Sequence, residues 1–170
     1  LSLQAKPVTA AGVGHLSLGE FPMAWVGSPK LGIGDETLSL AELAAFPIMC
    51  FARGSEPYAV IEQLFSTESS ASVHLNCIAS VATMIRVVCD GLGVAAVPPA
   101  IIQRELAEQR LRLLRVDREF PSLPLVACYR NDHQNPLTEV VARAAEETAA
   151  AFALNHGQAV ARLPGSGLGG

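Results

Sequence analysis

The cysteines Cys50, Cys77, Cys89 and Cys128 have the widest chemical repertoire in this sequence, as nucleophiles, redox centres or soft-metal ligands. Each of those roles needs close partners. The four lie far apart, each in an apolar run, with no Cys-x-x-Cys pair and no histidine at metal-ligand spacing. They read as buried free thiols of a reducing compartment, so neither a metal nor a cofactor is expected. His74 and Cys77 come nearest to a nucleophile with its base. Residues i and i+3 of a strand point to opposite faces, so the two cannot meet, and no catalytic function is expected.

Two other places favour holding an anion. Ser80 stands before a helical run, where a hydroxyl and the free N–H groups of the first turn can receive a carboxylate. A plain N-cap, worth about 1 kcal/mol, is the competing role. Arg53-Gly54-Ser55 follows an apolar strand, at the end where ligands settle in open α/β sheets. Arg53 could grip a carboxylate with its planar guanidinium fork, and a solvated turn is the competing reading. Trp25 reads as a core anchor, and Thr83, Met84 and Cys89 as helix filler.

The elements that must position these residues follow from period and punctuation. Strands are expected at Leu1–Gln4, near His15–Leu18, at Met23–Gly27, Phe46–Phe51, Ser72–Cys77, Val94–Val97, Leu111–Leu114 and Leu123–Arg130. Helices are expected at Leu40–Ala44 after Ser39, at Glu56–Ser66 with Pro57 in its first turn, and at Val81–Asp90 ended by Gly91. Two more are expected at Ala100–Gln109 and from near Pro136 through Phe152. Beyond His156 the apolar pattern fades, which predicts a disordered tail. Strands alternating with helices point to βαβ units, a mainly parallel sheet and an α/β class.

Composition agrees with that class. Hydrophobic residues make up 50% but aromatics only 5%, so the core is built of Ala, Val, Leu and Ile, as suits parallel strands under helices. With 170 residues the chain has the size of one domain. Twelve Lys and Arg against sixteen Asp and Glu give a net charge of −4, with no basic face for a phosphate backbone. No signal peptide is evident, and nowhere do the roughly 18 apolar residues of a membrane span run together, so a cytoplasmic protein with no membrane partner is expected.

The stretch Cys77-Ile78-Ala79-Ser80 through Val81–Gly93 to Val94-Ala95-Ala96-Val97-Pro98 resembles the second-lobe signature of LysR-type transcriptional regulators. In that family a strand ends at a small polar loop, a helix follows with a V-x-x-G-x-G turn, and the next strand closes on a proline. Phe21–Pro29 resembles the family's entry strand, Leu38–Phe46 its L-x-x-L-A turn, Ser55-Glu56-Pro57-Tyr58 its helix start and Leu123–Arg130 its return strand. The likeness covers about residues 1 to 154.

The resemblance implies a two-lobed fold like type II periplasmic binding proteins. Residues 1–22 would be a remnant of the first lobe and the hinge entry, 23–128 the second lobe, 129–155 the return strand end and a helix to the first lobe, and 156–170 the tail. It implies a ligand-sensing domain that takes a small, anionic effector between lobes and alters the arrangement of a homo-oligomer. DNA would be held only by a domain outside this chain, which is expected to be a fragment carrying half of the site. Phe51, Arg53, Gly54, Ser55, Cys77, Ile78 and Ser80 are then the candidate effector contacts. A solute-binding protein or enzyme on the same fold, or a dimerisation module without ligand, are the other readings, since fold alone does not fix function.

Overall fold

The computed structural model describes residues 1–68, 73–131 and 137–164. In chain order the elements are β1 (Ser2–Gln4), β2 (Val13–Phe21), β3 (Ala24–Gly27), α1 (Leu40–Leu43), β4 (Ile48–Cys50), α2 (Glu56–Glu68) and β5 (Leu75–Cys77). They continue with α3 (Val81–Cys89), β6 (Val94–Val97), α4 (Gln103–Ala107), β7 (Arg112–Leu113), β8 (Leu123–Arg130) and α5 (Leu137–His156). These form two units, Leu1–Pro22 with Ser122–Gly170, and Met23–Pro121.

The first unit is an antiparallel sheet in the order β1-β8-β2, with α5 laid on β2 and β8. Alanines let the helix come close: Ala142 is fully buried with Leu18 and Ala127, and Ala145 and Ala149 pack around them. The whole of β8 lies in this sheet, so Leu123–Cys128 belong here and not with the second lobe as expected from sequence. Apolar content marks a strand but not the sheet it joins.

The chain after His156, expected to be disordered, is structured as far as it is described. Ala161 is buried, and Glu20 and Arg162 exchange backbone hydrogen bonds at 3.0 and 2.8 Å along the free edge of β2. This contact uses backbone groups, so apolar periodicity could not reveal it. Gly19 makes it possible: at φ +106 it follows a bulge, and a Cβ there would strike the Arg162 carbonyl.

The second unit is a five-stranded sheet in the order β5-β4-β6-β3-β7. Its β4–β5 and β4–β6 pairs are parallel, while β3 runs antiparallel to both β6 and β7. The sheet is therefore mixed and not mainly parallel. Helical crossovers α2 and α3 do make β4, β5 and β6 parallel, as alternation implies, but nothing local in β3 records its direction. The core beneath α3 holds Val26, Met49, Met84, Val88, Ala95, Val97, Ile102 and Leu111. Trp25 is an anchor as expected, set edge-on to Phe65 and Phe120.

Elements are mostly shorter than their sequence patterns. In place of one helix over Ala100–Gln109 there is a single-turn 3-10 helix, Pro99–Ile101, and then α4, because Ile102 leaves helical geometry at φ −126 to enter the core. Val73 and His74 precede β5 without joining it, while Ser72 and Pro136 lie outside the described residues. No helix among the described residues is long and apolar enough to cross a membrane.

Candidate functional site

Strands β4 and β5 are parallel neighbours, so both release their chains at the same end of the sheet, β4 after Cys50 and β5 after Cys77. Loop 51–55 leads from there into α2, and loop 78–80 into α3. All seven residues singled out from sequence lie on these loops or at the ends of the strands. Ile78 N–H donates to the Cys50 carbonyl at 2.9 Å, tying the loops together where they leave the sheet. Phe51 and Ile78 are half-buried and pack on the core, while Arg53, Gly54, Cys77 and Ser80 face solvent.

The two serines behave differently. Ser80 accepts from the Thr83 amide at 3.3 Å, with extended backbone at φ −96 and ψ 116, so it is an N-cap of α3. Ser55 precedes α2, and its carbonyl accepts from Ala59 N–H at 3.1 Å, yet its buried hydroxyl has no hydrogen-bond partner among the described residues. A buried hydroxyl without a partner costs free energy. Gly54 at φ +84 turns the chain into this position.

Arg53 reaches across to Cys77. A hydrogen bond to the Cys77 sulfur, and then the neighbouring Tyr58 and Cys77 charges, hold its guanidinium still more firmly protonated than usual. Beneath Cys77, the Cys50 and Cys77 sulfurs stand 3.9 Å apart. Cys50 has no solvent exposure, and burial first, then the bond to and charge of Cys77, push its thiol up to about 12.

Two expectations from sequence are thereby corrected. The cysteines are not all isolated, and not all buried: Cys50 and Cys77 touch, and Cys77 is exposed. They are 27 residues apart, and only the register of two parallel strands, set across a helical crossover, brings them together. Each is the last residue of its strand, Cys50 of β4 and Cys77 of β5. His74, by contrast, makes no hydrogen bond to Cys77 among the described residues.

A depression in the same unit, of about 340 Å³, is lined by Ser28, Lys30, Arg86, Asp90 and Arg110 among others. Its cations are already engaged: Arg86 meets Asp90 at 3.2 Å, Lys30 meets Asp90 at 3.9 Å, and Arg110 meets Glu105 at 3.1 Å. Among the described residues no three His, Cys, Asp or Glu side chains are grouped to hold a metal.

The LysR substrate binding domain family matches residues 1–150. The chain belongs to this family. As a LysR substrate-binding domain it is a ligand-sensing regulatory module, with the periplasmic-binding-protein-like fold of its structural neighbours. Full-length LysG from Corynebacterium glutamicum with bound effector arginine shares 17% identity and a TM-score of 0.65, over 86% of this chain and 50% of that one. The regulatory domain of HypT from Salmonella typhimurium, bound to bromide, shares 20% identity and a TM-score of 0.65, over 84% and 67%. The effector binding domain of QuiR in complex with shikimate shares 15% identity and a TM-score of 0.63, over 91% and 71%. The LysR domain thus spans about half the length of LysG and about two thirds of the HypT domain. No curated protein matches the sequence.

Proposed function

We propose that this LysR domain senses a small anion at the carboxyl ends of β4 and β5, and that it does so by binding alone, without catalysis. The observation that carries this reading is the buried hydroxyl of Ser55, which has no hydrogen-bond partner among the described residues, beside the exposed Arg53 and close to the start of α2. An anion supplies the acceptor that the hydroxyl lacks. Arg53 offers a forked pair of donors, Ser80 a hydroxyl, and the first turns of α2 and α3 their free N–H groups and positive dipole ends. Phe51 and Ile78 give the apolar floor, Gly54 lets backbone come close, and Cys77 lines the side. The ligands of the similar proteins fit this chemistry: arginine and shikimate carry carboxylates, and bromide is an anion.

Binding orders loops 51–55 and 78–80, and that change biases the arrangement of a homo-oligomer in the cytoplasm. The regulated DNA is held by another domain, since this chain has net charge −4 and no basic face. The test is calorimetry of the purified chain against a panel of small carboxylates, amino acids and halides, repeated with Ser55→Ala. Saturable binding that Ser55→Ala weakens supports the reading. Binding unaffected by Ser55→Ala, or no binding by any anion, overturns it.

A further inference from the structure

We propose that Cys50 and Cys77 form a reversible dithiol switch, in which a hydroperoxide oxidises the exposed Cys77 thiol and the buried Cys50 thiol then closes a disulfide across the ends of β4 and β5.

The geometry is that of a bond waiting to close. Cys50 and Cys77 are register partners in adjacent parallel strands, and their sulfurs, 3.9 Å apart, lie on the same face of the sheet. Neighbouring strands run about 4.8 Å apart, inside the range of about 4.4–6.8 Å between Cα atoms that a disulfide tolerates. Rotation about the two side-chain bonds can bring the sulfurs to bonding distance, and the backbone need not move far. The edge position of β5 leaves it free to adjust.

The two sulfurs differ in access. Cys77 is exposed and Cys50 has no exposure, so an oxidant meets Cys77 first. The Cys77 sulfur attacks one peroxide oxygen and the O–O bond breaks. Water or alcohol leaves, carrying the thiol proton, and sulfur is oxidised to sulfenic acid. Cys50 sulfur then attacks the sulfenic sulfur, the S–O bond breaks, the Cys50 proton goes with the hydroxide as water, and the disulfide forms. In sum two thiols and one hydroperoxide give one disulfide, one water and one alcohol or second water.

Burial opposes ionisation of Cys50, so closure quickens as pH rises. Neither other cysteine competes: Cys89 is buried in the core under α3, and Cys128 is buried in the other unit, where it accepts from Gln4. The disulfide staples loop 51–55 to loop 78–80. On the anion-sensing reading above, oxidation therefore also alters anion affinity, but formation of the disulfide does not depend on that reading.

The test is to treat the reduced full chain with a small excess of hydrogen peroxide, block remaining thiols by alkylation, and map peptides by mass spectrometry. The expected product has lost two hydrogens, links the Cys50 and Cys77 peptides, and reverts with dithiothreitol. Cys50→Ser should halt at a Cys77 sulfenic acid that dimedone traps, and Cys77→Ser should leave the chain unmodified at the same exposure. Cys77 driven to sulfinic acid without a crosslink, a link to Cys89, Cys128 or a second chain, or no oxidation at all would each overturn the proposal. The wild-type map decides the matter even if a variant folds poorly. A disulfide without anion binding defeats only the anion reading, and anion binding without a disulfide defeats only this one.

Discussion

Ser55 and Ser80 precede the helices that rise from two neighbouring parallel strands, yet Ser80 caps its helix, accepting from Thr83 N–H at 3.3 Å, while the Ser55 hydroxyl is buried without a partner among the described residues. The same residue type in the same topological place is thus doing different things, and substitution should separate them. Ser80→Ala should destabilise the ligand-free domain by about 1 kcal/mol, as loss of an N-cap does. Ser55→Ala should leave the ligand-free stability unchanged or slightly raised, since it removes an unsatisfied polar atom. In anion binding the order reverses, with Ser55→Ala costing about 1.5–3 kcal/mol, roughly ten- to a hundredfold in affinity. Urea denaturation beside calorimetry checks this, and equal effects on stability would refute the distinction.

Arg53→Gln should weaken anion binding several-fold while leaving the unfolding midpoint nearly unchanged, because the side chain is exposed and contributes little to folding. It should also flatten the dependence of affinity on salt, since one cation no longer faces the ligand. A titration across a range of ionic strength reads both. A salt dependence identical to the wild type would place Arg53 outside the site.

The sequence carried these loops further than it carried the sheet. Ser80 before an amphipathic run and Arg53-Gly54-Ser55 after an apolar one are local patterns, and the structure puts both at one end of one sheet. The direction of β3, the membership of β8 in the first sheet and the contact of Cys50 with Cys77 depend on pairing between distant segments. Such pairing leaves no trace in the period of a single strand. Whether Ser55 would be satisfied by its own helix was likewise invisible, since Ser before a helix has the same local signature whether or not it caps.

Gly19→Ala should cost about 1–3 kcal/mol, the range for forcing a side chain into a left-handed backbone, and should detach the segment that follows α5. The new Cβ would meet the Arg162 carbonyl, so the paired amides of Glu20 and Arg162 should lose protection against hydrogen exchange together. Loss of protection spread evenly over β1, β8 and β2, with no excess at these two amides, would show that the contact of Glu20 with Arg162 is incidental.

The buried thiol of Cys50 makes stability depend on pH in a predictable sense. Its folded value, about 12, lies above the ordinary 9.0, so between them the unfolded chain releases a proton that the folded chain keeps. Fewer protons on the unfolded state make unfolding easier as pH rises, so the contribution is intact below about pH 9 and is lost progressively towards pH 12. Cys89, raised chiefly by burial, acts in the same direction. Cys50→Val keeps an apolar side chain of similar size but has nothing to ionise. Under reducing conditions the wild type should therefore lose stability more steeply with pH than Cys50→Val over this window, although lysine and tyrosine titrations are common to both. Parallel slopes for the two proteins, measured by urea denaturation at successive pH values, would mean that the Cys50 thiol ionises as freely in the folded chain as in the unfolded one.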